Sequence, residues 1–212
     1  MTKEGIIAGI SGSRVVAVLT LDDADDALPL ADALLAGGVR VIELTLRTPA
    51  AVEGLRRIAA AHPDMLVGAG TVLSGEQLGV AIDAGAAFAV SPGLNAAVSA
   101  EADARGFSYF PGVMTPTDVE AALAMGHRLM KFFPAAIAGG IPMLKALDAP
   151  YGQAGVKFLP LGGVNADNAG DYLALDCVAA IGGSWIAERG LIKEKRFDEI
   201  QRRAAACMRI LN

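Results

Sequence analysis

The chain has 212 residues, 53% hydrophobic and only 5% aromatic, with 25 glycines; that is enough for one domain with a substantial core of Ala, Val, Leu and Ile. Lys and Arg number 18 against 23 Asp and Glu, a net charge of −5, and no basic block is present, which argues against a nucleic-acid or anionic-membrane surface. Mean hydropathy is +0.45, yet the longest uncharged run, Ala84–Ala100, is broken by Ser91-Pro92-Gly93 and falls short of the ~20 continuous apolar residues of a membrane span.

Short β-like runs recur along the chain, each followed by a helix-like segment. The first predicted strand is 14–19, followed by a helix over 24–36 with Asp22 and Asp23 near its start and Gly37-Gly38 at its end. Strand 39–46 precedes helix 49–61, strand 65–70 precedes helix 75–84, and strand 88–91 precedes helix 95–105. Strand 108–110 leads to a helix over 116–125, with Thr115 as N-cap and Pro116 at its first position. Strand 129–133 precedes helix 141–147, strand 156–161 precedes helix 166–173, and strand 178–182 leads to a short helix from Trp185 and a last helix over 197–210. Eight β-then-α units predict a (β/α)8 TIM barrel, an α/β fold, in a single domain over residues 1–212. An open doubly wound sheet is the alternative. The barrel is favoured because Glu43, Arg47, Thr71, Pro92, Pro111, Lys131 and two Gly-Gly pairs all fall at or after strand ends, the active face of such a barrel.

Two cysteines, Cys177 and Cys207, lie far apart in sequence and read as buried free thiols. Met1-Thr2-Lys3-Glu4-Gly5 lacks a signal peptide's apolar segment, so a cytoplasmic location is expected. His62 and His127 are the only histidines, and no Cys or His spacing suggests zinc.

Chemistry concentrates around His127-Arg128-Leu129-Met130-Lys131-Phe132-Phe133-Pro134. Strand alternation puts Leu129, Lys131 and Phe133 on one face. In apolar surroundings desolvation disfavours the ammonium, and a neutral amine attacks carbonyl carbon. The plainer reading is a lysine that snorkels to water. In the second strand, Val41, Glu43, Thr45 and Arg47 share a face. Those polar groups are costly inside a barrel unless paired with each other, as in a structural Glu43–Arg47 ion pair, or with a ligand. Both strands are even-numbered, so Glu43 and Lys131 can face one cavity, the arrangement a proton shuttle needs. Glycines in Gly68-Ala69-Gly70-Thr71 allow close backbone approach to a ligand, or form only a tight turn. Gly162-Gly163 and Gly183-Ser184, after the seventh and eighth strands, fit the usual phosphate position of such barrels.

Taken in order, Val41-Ile42-Glu43-Leu44-Thr45-Leu46-Arg47-Thr48, Gly68-Ala69-Gly70-Thr71-Val72-Leu73, Ser91-Pro92-Gly93, Pro111-Gly112-Val113, Lys131-Phe132-Phe133-Pro134-Ala135 and Gly182-Gly183-Ser184-Trp185 resemble the motif series of the 2-keto-3-deoxy-6-phosphogluconate (KDPG) aldolase family. That family includes 4-hydroxy-2-oxoglutarate aldolases. The resemblance spans nearly the whole chain. It implies a class I, metal-independent lyase without a cofactor, acting in the Entner-Doudoroff pathway and usually a homotrimer. The implied substrates are pyruvate, glyceraldehyde 3-phosphate and a 2-keto-3-deoxy sugar acid phosphate. By motif position Lys131 is the Schiff-base lysine and Glu43 the general acid/base. Arg47 and Thr71 hold the pyruvate carboxylate, Pro92 and Phe133 line the pocket, and Gly162, Gly163, Gly183 and Ser184 hold the phosphate. Leu161 departs from the threonine usual in gluconate-type members, which keeps a galactonate-type aldolase open. A metal-dependent epimerase fits the histidines poorly. A non-catalytic sugar-phosphate-binding barrel would need neither Glu43 nor Lys131.

Overall fold

Residues Met1–Leu211 are described by the computed structural model. Its strands are β1 (Val15–Leu19), β2 (Val41–Thr45), β3 (Leu66–Gly70), β4 (Phe88–Val90), β5 (Ser108–Phe110), β6 (Gly112–Val113), β7 (Leu129–Phe132), β8 (Lys157–Pro160) and β9 (Ile181–Gly183). Its α-helices are α1 (Lys3–Ser13), α2 (Ala27–Ala36), α3 (Ala51–Ala61), α4 (Gly75–Asp83), α5 (Ala96–Ala104), α6 (Pro116–Ala124), α7 (Gly140–Tyr151), α8 (Ala169–Leu173), α9 (Arg189–Lys193) and α10 (Phe197–Leu211). All ladders are parallel. A six-stranded sheet runs β5-β4-β3-β2-β1-β9, and a three-stranded sheet runs β6-β7-β8. Only Pro111 separates β5 from β6. Its carbonyl accepts from the Lys131 amide at 2.9 Å. Isolated parallel bridges Phe158–Val178 and Leu161–Gly182 join the segments around β8 and β9. The expected β-then-α alternation is present, as an α/β fold with parallel sheets.

Both faces of the strands are buried, which is why they read as continuous apolar runs. Val15, Ala17, Leu19, Ile42, Leu44, Met130 and Phe132 pack with the apolar faces of the helices. The opposite parity, including Val16, Val41, Phe88, Val90, Leu129, Leu159 and Leu161, forms a separate inner cluster. Helix starts follow local chemistry. Thr115 accepts from the Asp118 amide and Asp118 reciprocates in a capping box, with Pro116 next. Ser74 and Asn95 cap α4 and α5 through their side-chain oxygens.

Helix α1 is a correction to the sequence reading, which began with the first strand. Ile6 and Ile10 of α1 are buried in the inner cluster. Three glycines and a weakly apolar face hide this helix from periodicity, although Thr2 caps it through the Gly5 amide at 3.2 Å. Helix α7 also runs past its expected end, through Pro150 to Tyr151. Cys177 and Cys207 are buried free thiols, as expected. Among the described residues, no helix is long and apolar enough to cross a membrane.

Candidate active site

Glu43 is the middle residue of β2, in register with Val18 on one side and Gly68 on the other. Lys131 lies in β7, in register with Gly112 and Leu159. Parity turns both side chains inward, where they meet. Lys131 Nζ donates to Glu43 Oε1 at 2.9 Å and to Oε2 at 3.2 Å. Lys131 is 5% exposed and Glu43 1%. An unpaired buried charge costs several kcal/mol, so each is the condition for keeping the other. Lys131 Nζ also lies 5.3 Å from the centroid of the Phe133 ring, within cation–π range.

The structural Glu43–Arg47 ion pair considered from sequence is not what forms. Arg47 instead donates from Nη2 to Thr20 Oγ1 at 2.7 Å. Thr20 and Thr45 hydroxyls are 3.1 Å apart, and Thr45 donates to the Leu19 carbonyl at 2.8 Å. Since Thr45's proton is committed, Thr20 donates to Thr45 and accepts from Arg47. This directed chain fixes one edge of the guanidinium. Thr20 was missed in the sequence, although its place directly after β1, at a strand's C-terminal end, is the signal that could have found it.

A cavity of about 190 Å³ opens over the Lys131–Glu43 pair, lined by Val18, Glu43, Thr45, Arg47, Thr71, Pro92, Lys131, Phe133, Leu161, Gly162, Gly183 and Ser184. Every predicted site residue except Gly163 lines it. Gly163 is exposed, and a Cβ there would lie 2.3 Å from the Ala136 Cβ. The glycines of the third strand also have another reason than the one expected. A Cβ at Gly70 would lie 2.2 Å from Glu43 Oε1, and one at Gly68 would meet the Phe88 ring at 2.3 Å. They make room for neighbouring side chains, one of them Glu43.

Thr71 has φ 60°. For a β-branched residue this left-handed backbone is an outlier, costing on the order of 1–3 kcal/mol, and such strain clusters at functional sites. Pro92 is held from behind: Ser91 Oγ donates to the Gly93 carbonyl at 2.6 Å and lies 2.5 Å from the Tyr109 hydroxyl. Leu161 is 3% exposed and lies in the inner cluster, facing the cavity rather than the helices.

A buried amine touching a carboxylate, beneath a cavity with a guanidinium at its wall, can form and break bonds to carbonyl carbon. The family model for aldolases described as "KDPG and KHG aldolase" matches residues 6–203. The chain belongs to that family. It is 44% identical over 201 residues to the 2-dehydro-3-deoxy-phosphogluconate aldolase of Haemophilus influenzae, covering 95% of this chain and 94% of that one. It is 42% identical over 190 residues to the KHG/KDPG aldolase of Escherichia coli K12, covering 90% of this chain and 88% of that one. A crystal structure of KDPG aldolase from Legionella pneumophila, with pyruvate captured as a covalent carbinolamine, is similar at a TM-score of 0.91 and 40% identity, covering 98% of each chain. The resemblance carried by the motif series is therefore correct, and the chain's relatives are aldolases, that is, lyases.

Proposed function

We propose that this family member is a class I aldolase that cleaves 2-keto-3-deoxy-6-phosphogluconate to pyruvate and glyceraldehyde 3-phosphate through a Schiff base on Lys131. Cleavage of 4-hydroxy-2-oxoglutarate to pyruvate and glyoxylate is the companion activity. The observation that carries this reading is the buried 2.9 Å contact between Lys131 Nζ and Glu43 Oε1 under an open cavity. In this reading the chain forms a closed, single-domain (β/α)8 barrel over residues 1–212, acts in the cytoplasm in the Entner-Doudoroff pathway, and assembles as a homotrimer. The Leu161–Gly182 bridge between the two sheets and the single residue Pro111 between β5 and β6 support closure.

Glu43 takes a proton from the Lys131 ammonium along their hydrogen bond, and the free amine attacks the C2 ketone. Glu43 returns that proton to the carbinolamine hydroxyl, which leaves as water to give a protonated imine. The Glu43 carboxylate then takes the C4 hydroxyl proton, and the C3–C4 bond breaks. The electron pair flows into the imine, leaving an enamine, and the aldehyde departs. Protonation at C3 and hydrolysis release pyruvate and regenerate Lys131. Arg47 and Thr71 hold the substrate carboxylate, Pro92 and Phe133 shape the pocket, and Gly162, Gly163, Gly183 and Ser184 hold the phosphate. Leu161 forms the wall beside the hydroxylated carbons and leaves the galactonate epimer as a second substrate.

Borohydride reduction in the presence of pyruvate tests this. One reduced pyruvyl group on Lys131 is the expected product, and EDTA should leave turnover intact. Labelling at Lys145 or Lys157 instead, or loss of turnover with EDTA, would sink the assignment.

A further inference from the structure

Arg47 lines the catalytic cavity, yet it is an exposed side chain, and among the described residues no carboxylate pairs with it. A long exposed arginine samples many rotamers, and a ligand that clamps it has to remove that freedom. An arginine already held in place has less to lose. What holds Arg47 is Thr20, whose Oγ1 accepts from Nη2 at 2.7 Å.

Thr20 is itself fixed from several sides. Thr45 donates to the Leu19 carbonyl at 2.8 Å, and Thr48 donates to the Leu21 carbonyl. The residues on either side of Thr20 are therefore sewn to the end of β2. Thr20 is half-buried, and its β-branched side chain is stiff at χ1. Its own proton goes to Thr45 Oγ1, 3.1 Å away, so a lone pair is left for Arg47. A hydroxyl that donates onward is a better acceptor, because chained hydrogen bonds polarise one another. Thr20 does not line the catalytic cavity. It reaches Arg47 from the neighbouring cavity, which both residues line.

We propose that Thr20 is a positioning residue for the substrate carboxylate. It holds one edge of the Arg47 guanidinium, so that the remaining N–H groups present a preset planar fork to the carboxylate of pyruvate or of the keto acid. Thr20 touches Arg47 and not the substrate. Its role rests on the aldolase reading, in which Arg47 holds that carboxylate, and adds the group that aims Arg47.

The pyruvate concentration that half-saturates borohydride trapping on Lys131 tests this. It is measured for the wild-type chain, Thr20→Val, Thr20→Ser, Arg47→Met and the double variant Thr20→Val/Arg47→Met. Thr20→Val keeps the shape and removes the hydroxyl, and should weaken pyruvate about fivefold, the scale of one net hydrogen bond. The KM for the keto acid should rise by a similar factor, with a smaller fall in kcat. Thr20→Ser should recover most of the loss. Arg47→Met should weaken pyruvate about tenfold or more, the scale of a lost charge-assisted bond. The double variant should match Arg47→Met within about twofold, because groups acting through one contact are not additive. Wild-type affinity in Thr20→Val would overturn the proposal and leave the role of Arg47 standing. So would a double variant showing the product of the two single losses, which would make Thr20 act apart from Arg47. Thr20→Ser as weak as Thr20→Val would assign the effect to packing and overturn it too. Unchanged affinity in Arg47→Met would overturn the carboxylate role of Arg47 and this proposal with it. Failed trapping on wild-type Lys131 would overturn the aldolase reading itself.

Discussion

Two buried titratable side chains stand four residues apart in the chain, His127 and Lys131, and the protein treats them in opposite ways. His127 is 1% exposed. Its Nε2 lies 2.6 Å from Ser99 Oγ on α5, and its ring meets Tyr109 edge-on with centroids 5.8 Å apart. Burial pushes its pKa down to about 4, so it is neutral at pH 7 and needs no counter-charge. Lys131 instead meets a carboxylate and opens on a cavity. Burial alone therefore does not mark a functional group. A buried charge that keeps both a partner and free space beside it does.

Removing Lys131 breaks the comparison most severely. Lys131→Met should abolish borohydride trapping and lower turnover by at least about 10⁴-fold, the scale for loss of a catalytic nucleophile. Glu43 is then a lone buried charge, a situation that costs about 3–5 kcal/mol, measurable by urea denaturation at pH 7.

Glu43→Gln keeps a hydrogen-bonding partner for Lys131 but removes the base. Turnover should fall by ~10²–10⁴-fold, together with solvent exchange of the pyruvate methyl protons. Near-normal exchange would mean that another group moves the proton.

His127→Gln sharpens the contrast from the other side. A histidine whose folded pKa lies below its unfolded value destabilises the fold as pH falls. Below about pH 6.5 the unfolded chain takes up a proton that the folded chain refuses. The penalty grows down to about pH 4, the folded value, and then levels off. Denaturation at pH 4.5 and 7.5 should show a smaller acid loss in the variant than in the natural chain, with turnover at pH 7.5 changed less than twofold. A large loss of turnover would place His127 in the chemistry.

The smallest effect is expected at Leu161, where the cavity wall is apolar. Leu161→Thr adds one neutral hydroxyl, worth about 0.5–1.5 kcal/mol, or roughly two- to thirteen-fold. The C4 epimer ratio formed from pyruvate and glyceraldehyde 3-phosphate should shift toward the gluconate form. An identical, strictly gluco product from both chains would remove this residue from the specificity.

Parity in β2 and β7 was legible in the sequence, because period-2 alternation depends on nothing beyond the strand itself. Glu43's partner was left open between Arg47 and Lys131. Arg47 is four residues away and Lys131 is 88 residues away, and only the curvature of the sheets decides between them. Thr71 was legible as a residue of the cavity wall, but its left-handed backbone was not, since nothing in a threonine announces it. Gly68 and Gly70 were read as space for a ligand or as a tight turn, and they are space for Phe88 and Glu43. A glycine in sequence says that something comes close without saying what. Helix α1 was lost because propensity penalises its three glycines, while Ile6 and Ile10 bury against the inner cluster all the same.

The Lys131–Glu43 contact has a consequence for charge conservation. Ammonium plus ketone gives protonated imine plus water, so one positive charge is present before and after. If Glu43 lends and returns its proton within the pair, the pair carries the same net charge before and after the imine forms. The apolar residues around the pair then never have to solvate a new ion made by the amine chemistry, and the group lost from the carbonyl leaves as neutral water. Apolar surroundings can host a covalent intermediate on such a pair because its electrostatic balance is already set before substrate arrives.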